Sequence, residues 1–133
     1  MRRIVVNVDG GSRGNPGPAA IAAVVADENG EVLTDSADVI GIATNNVAEY
    51  KALLLGIELA RELGADEVEF VGDSELIVKQ VRGEYKVKKP DLKPLHKAAV
   101  DALGELPKWS IRNVPRELNE AADALVNEAL DAG

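Results

Sequence analysis

Four carboxylates in this chain occupy positions where an acid is costly to a fold. Asp9 follows the apolar run of residues 3–8, Glu49 heads a long helical pattern, Asp73 follows "DEVEFVG", and Asp123 lies in the last helical stretch. Acids brought together repel, and hard cations such as Mg²⁺ or Mn²⁺ relieve that repulsion through carboxylate oxygen. There is no Cys and a single His, His96, which excludes the usual zinc frameworks and leaves oxygen as the only ligand type. Each acid also has a purely structural alternative. Glu49 closes a capping box with Asn46 in "NVAE", and Asp73 caps the helix of "SELIVKQV". Asp9 anchors a turn and Asp123 is an ordinary boundary acid. Singly these alternatives compete; four acids on one rim are harder to explain without a cation.

The elements that must carry these acids are legible from hydrophobic period and turn residues. Residues 3–9, 19–27 and 31–41 read as strands, with "DENG" at 27–30 as a hairpin turn. Residues 47–63 have helical period, 66–72 alternate like a strand, and 74–82 form a short helix stopped at Gly83. A helix near 91–103, a strand over 108–114 and a final helix over 120–131 complete the chain. The order predicts an α/β fold, a five-stranded mixed sheet with helices on both faces. Asp9 and Asp73 then end adjacent parallel strands, at the rim where such sheets bind ligands. Glu49 lies on the stripe of Leu53, Gly56, Ala60 and Leu63, and Asp123 borders the face of Ala122, Val126 and Ala129. "GGSRGNPGP" after Asp9 reads as a tight loop.

At 133 residues, 46% of them apolar, the chain suits one domain over 1–133, without repeats, linkers or low-complexity tracts. No run suits a membrane span or a signal peptide, and the lack of Cys fits a reducing cytoplasm. The net charge of −8 is uneven: Lys79 to Lys97 carries +5 and the remainder −13. That basic stretch reads either as a solvated face or as a contact for a polyanion. Trp109, on the same strand face as Ile111, reads as core rather than as a stacking platform.

Four runs, "VDGGSRGNPGPAAIAAVV", "TNNVAEYKALLLGIELA", "GDSELIVKQVRGEYKVK" and "VPRELNEAADALVNEAL", occur in this order and together resemble the type 1 ribonuclease H family. The resemblance is to its compact form, without the basic handle helix, and covers nearly the whole chain. It implies a ribonuclease H-like catalytic domain that hydrolyses the RNA strand of RNA–DNA hybrids by two-metal-ion catalysis. Two Mg²⁺ ions, with Mn²⁺ as substitute, would serve, and the products would carry 5′-phosphate and 3′-hydroxyl ends. Asp9, Glu49, Asp73 and Asp123 match the family's metal-binding acids, with Asp9 bridging both ions. Gly10 and Gly11 would leave room for a nucleic-acid backbone to approach main-chain amides. The resemblance further implies substrate contacts from Asn15, Asn45, Asn46 and Ser74, which would read 2′-hydroxyls and sugar edges of the RNA strand. Thr44 matches a holder of a DNA-strand phosphate and is equally a turn or cap residue. Asn119 matches an active-site neighbour and is also a good N-cap. Arg116 stands where many bacterial members carry a mobile histidine, and His96 lies in a different segment. No membrane or protein partner is implied, and a monomer is expected. A non-catalytic hybrid-binding module, or a related metal nuclease acting on double-stranded RNA or junctions, are the alternative readings.

Overall fold

Runs rich in Val, Ile and Ala build the sheet of the computed structural model, which describes residues 2–132. Strands β1 (Arg3–Ser12), β2 (Gly17–Asp27) and β3 (Val32–Ala43) form an antiparallel meander. Helix α1 (Asn45–Leu63) then leads to β4 (Glu67–Gly72), α2 (Glu75–Val81) and α3 (Lys93–Leu103). Strand β5 (Trp109–Asn113), a 3-10 turn (Arg116–Leu118) and α4 (Glu120–Ala132) finish the chain. The sheet order is β3-β2-β1-β4-β5, with β1, β4 and β5 parallel. This is the expected five-stranded mixed sheet.

Alternation along β1 assigns its two faces. Ile4, Val6 and Val8 are buried with Leu53, Ile57 and Phe70 in the main core, which contains the inner stripe of α1. The opposite face meets α4 through Ala20, Ala22 and Val126. Helices thus cover both faces, and each fully buried Leu, Ile or Phe side chain contributes about 1.5–3 kcal/mol. Trp109 packs against the main core, as its strand position suggests. The polar groups within this core are paired: the Tyr50 hydroxyl donates to Gln80 Oε1 at 2.6 Å, and His96 Nε2 lies 3.1 Å from the Gln80 carbonyl. Among the described residues no helix is long and apolar enough to cross a membrane.

One departure from the expected elements bears on the site. Asp9 does not end a strand, and Gly10, Gly11 and Ser12 are not loop. They continue β1, pairing with Ile21, Ala20 and Ala19 of β2. The parallel pairing with β4 stops earlier, at Asn7 and Val71. Beyond Asn7 the two parallel strands part, and Asp9 stands at the mouth of that fork. A "GG" pair suggests a turn because glycine is favoured there, but glycine also serves close approach between elements.

That second use applies at Gly10. A Cβ there would collide with the Ala48 carbonyl and stand 2.7 Å from Glu49 N. The space Gly10 leaves is filled by the α1 backbone, which corrects the expectation that it clears room for nucleic acid. Gly56 on α1 answers from the other side, where a Cβ would lie 2.7 Å from Val8 Cγ1 and 2.9 Å from Val6 Cγ1. A Gly10→Ala substitution must therefore push α1 off β1. It is expected to destabilise the protein by about 1–3 kcal/mol, as overpacking does, lowering the urea midpoint. An unchanged midpoint would show that α1 does not bear on the strand at this position.

Candidate active site

Four elements bring one acid each to the fork. Asp9 comes from β1 and is only 7% exposed. Asp73 directly follows β4, Glu49 sits in the second turn of α1, and Asp123 lies in the first turn of α4. Glu49, Asp73 and Asp123 are half-buried. Their mutual influence shows in the protonation of Asp9, pushed up to about 8 by burial first, then by the charge of Asp73. Asp123 adds to this through its charge and as a hydrogen-bonding partner of the Asp9 carboxyl, and Glu49 adds a smaller push. Glu49 itself is raised to about 7, again mainly by burial. A hydrogen bond from Ser74 lowers it, Asp73 raises it, and the Arg116 guanidinium lowers it. The four acids and Arg116 therefore share one electrostatic site.

The local structure removes two of the structural alternatives. Thr44, not Asn46, caps α1, its Oγ1 accepting from Val47 N–H at 3.2 Å. Glu49 is thus freed from any capping box. Ser74, not Asp73, caps α2, accepting from Ile77 N–H at 3.3 Å. Asp73 Oδ2 is instead buried without a hydrogen-bond partner, a state that costs free energy unless a proton or cation supplies the missing contact.

An oxygen-only donor set, two acids of raised pKa and an orphaned carboxylate oxygen suit a hard divalent cation. Among the described residues no three of these acids already stand at ligand spacing around one point. As placed, they form a cluster of like charges that a cation or protons must neutralise.

The remaining anticipated residues divide in two. Asn15 and Asn45 clasp each other's segments: Asn15 Oδ1 accepts from Asn45 N–H at 3.0 Å, and Asn45 Oδ1 accepts from Ser12 N–H at 2.9 Å. Both residues are exposed. Asn46 lines an open cleft of about 520 Å³ with Tyr85, Lys86, Lys88 and Lys89. A second cleft of the same size holds Lys86, Lys93 and His96. Within the basic stretch Lys79 pairs with Glu75, Arg82 with Glu84 and Lys97 with Asp101. Among the described residues Lys86, Lys88, Lys89 and Lys93 make no ion pair. Gly11 is a half-exposed strand residue whose added Cβ would meet only Val126, at 3.8 Å.

Asn119 requires correction. It is 1% exposed, its Nδ2 donates to the Val8 carbonyl and its Oδ1 accepts from Asn7 Nδ2, each at 2.9 Å. Its side chain makes no capping bond to α4 but ties the start of that helix to β1, at the residue before Asp9. Asn7 was not anticipated, although a lone amide inside the apolar run "IVVNV" was the available signal.

The raised acids make stability depend on pH with a definite sign. Folded Asp9 and Glu49 hold their protons more tightly than the unfolded chain, so their contribution is complete below about pH 4 and is lost as pH rises toward 8. Without divalent ions, the melting temperature should fall between about pH 5 and about pH 8, and Asp9→Asn should flatten the fall. A variant that declines as steeply as the parent would place the titrating group elsewhere.

Comparison with known proteins bears on this arrangement. A family profile described as "Reverse transcriptase-like" matches residues 7–129. Ribonuclease HI of Halobacterium salinarum is 46% identical over 97% of this chain, and the chain spans 65% of that relative's length. The bifunctional protein Rv2228c of Mycobacterium tuberculosis is 46% identical over 98% of the chain, which spans 36% of its length. The crystal structure of RNase H1 from Halobacterium salinarum has a TM-score of 0.96 at 46% identity, covering 98% of this chain and 99% of that one. LC11-RNase H1 in complex with RNA/DNA hybrid has a TM-score of 0.92 at 46% identity, covering 97% of each chain. With that match over residues 7–129 and these structural relatives over nearly its full length, the chain belongs to the ribonuclease H family.

Proposed function

We propose that the chain is an endoribonuclease that hydrolyses the RNA strand of RNA–DNA hybrids, with Asp9, Glu49, Asp73 and Asp123 holding two divalent cations. The observation that carries this reading is the meeting of four acids at the β1–β4 fork, one with a buried oxygen that has no partner. Similarity to a ribonuclease H1 solved with RNA/DNA hybrid supports the substrate class. When bound, Mg²⁺, or Mn²⁺ in its place, would supply Lewis-acid chemistry, lowering the pKa of water and stabilising the departing 3′ oxygen, with 5′-phosphate and 3′-hydroxyl products.

The chain's own residues supply placement and charge. Ser74 beside Glu49 favours its ionised form and offsets part of the burial that pushes it up to about 7. Arg116 sets a permanent positive charge beside Glu49, suited to drawing a phosphate toward the acids and easing its exit. Lys86, Lys88, Lys89 and Lys93, without an ion pair among the described residues, line two clefts where they offer contacts to a nucleic-acid backbone. The Asn15 and Asn45 side-chain oxygens are taken by backbone amides, leaving their NH₂ groups to donate to sugar or base acceptors.

Cleavage of a labelled hybrid beside matched RNA duplex, DNA duplex and single-stranded RNA, with and without Mg²⁺, tests the assignment. Only the hybrid should be cut, and only with Mg²⁺; binding without cutting would identify a hybrid-binding module, and cutting of RNA duplex a different nuclease. Asp9→Asn keeps volume while removing charge. It should cost several kcal/mol of transition-state stabilisation, about a thousandfold in rate, with an intact circular dichroism spectrum. Near-parental turnover would sink the metal centre. For Arg116→Ala, steady-state turnover should fall more than single-turnover cleavage, and equal losses would rule out a role in product release.

A further inference from the structure

The fork needs something to keep α4 in place, because α4 reaches the acids only through its first turn. Its first residue is Glu120, and Asp123 N–H donates to the Asn119 carbonyl at 3.1 Å. Asn119 is therefore the anchor of that turn, and its buried amide is held at both ends by β1. One end is the carbonyl of Val8, the residue before Asp9. The other is Asn7, at the last parallel pairing before the fork.

An amide side chain placed between a carbonyl and a second amide can sit in two orientations related by a flip. The Val8 carbonyl accepts only, so Nδ2 of Asn119 must face it, and Oδ1 must then face a donor. Asn7 Nδ2 is that donor. Without it the buried Oδ1 loses its partner, and turning the amide over would set oxygen against the Val8 carbonyl. A buried acceptor so orphaned carries a full desolvation penalty, which tilting the head of α4 relieves.

We propose that Asn7 is a positioning residue for the acid cluster: through its hydrogen bond to Asn119 it fixes the head of α4, and with it the approach of Asp123 to Asp9. This rests on the metal-centre reading above. Asn7 touches neither substrate nor cation. It works through two hydrogen bonds, from Asn7 Nδ2 to Asn119 Oδ1 and from Asp123 N–H to the Asn119 carbonyl, and nothing about its own charge is involved.

A pair of β-branched replacements isolates the donor. Asn7→Val suits the strand and removes the donor without adding charge, and Asn7→Thr has nearly the same shape with a hydroxyl that can donate. The primary readout is Mg²⁺ binding to the free protein by calorimetry, without substrate; kcat and KM on the hybrid are the second. Outer partners of metal ligands typically account for about 10–100-fold in metal affinity or activity. Asn7→Val should weaken Mg²⁺ binding and lower kcat by about tenfold, leave KM for the hybrid within about twofold, and rank below Asn7→Thr. If Asn7→Val does not fold, Asn7→Thr carries the test, with a smaller loss in the same two readouts.

Parental Mg²⁺ affinity and kcat in the variants would overturn the proposal, even with a lower melting temperature, because the bond would then be structural only. Equal losses in both variants would overturn it too, since side-chain size rather than the donor would matter, as would a rise in KM with kcat retained. A parent protein that itself binds no Mg²⁺ would overturn the metal centre and this inference together, whereas an active, Mg²⁺-binding parent with indifferent variants overturns this inference alone.

Discussion

Like charges brought close in a partly dry place are the constraint on which this structure turns. Two carboxylates about 4 Å apart repel by about 4 kcal/mol at an effective dielectric of about 20, and here four gather at one fork. Asp9 answers by holding a proton far above its usual range and shares its surroundings with Asp123. Asp73 leaves a buried oxygen without a partner. A fold carries such frustration at sites whose purpose requires it, and the rest of the molecule can be understood as the frame that keeps these acids from drifting apart.

The joints of that frame are close approaches at glycine and uncharged hydrogen bonds. Gly10 and Gly56 let β1 and α1 meet at a distance that no Cβ would permit, so Glu49 is delivered from a helix pressed onto the strand that carries Asp9. Thr44 and Ser74 satisfy the helix starts next to the site and spare Glu49 and Asp73 from that duty. Asn119 ties the fourth element back to β1. Each acid is thus placed by its own secondary-structure element, with the ties made of groups that carry no charge.

The charge distribution adds direction. The acids lie at the fork, while the only strongly basic stretch runs from α2 into α3, along clefts whose lysines make no ion pair among the described residues. A net charge of −8 opposes polyanion binding at long range, but the local field of unpaired lysines acts within about 10 Å, the Debye length at 0.1 M salt. Cations at the acids would remove the largest local repulsion toward a phosphate. On the proposed function, the acidic and basic regions would serve one task only once the acids are neutralised.

Much of this was legible in the residues. Hydrophobic period marked five strands and four helices in order, because burial of one face imposes that period whatever the detailed packing. The four acids stood out because charge at the edge of an apolar pattern is rare without cause. The tertiary structure alone decided three other matters. A "GG" pair suits a turn and a close approach equally, and only the position of the Ala48 carbonyl showed which. A Thr, Asn or Ser near a helix start can cap from more than one position, and only backbone geometry gave those roles to Thr44 and Ser74 while turning Asn119 toward β1. The partnership of Asn7 with Asn119 spans 112 residues. Local sequence records what each residue can do; which long-range partner it finds depends on how strands part and helices cross, and that is settled only when the whole chain packs.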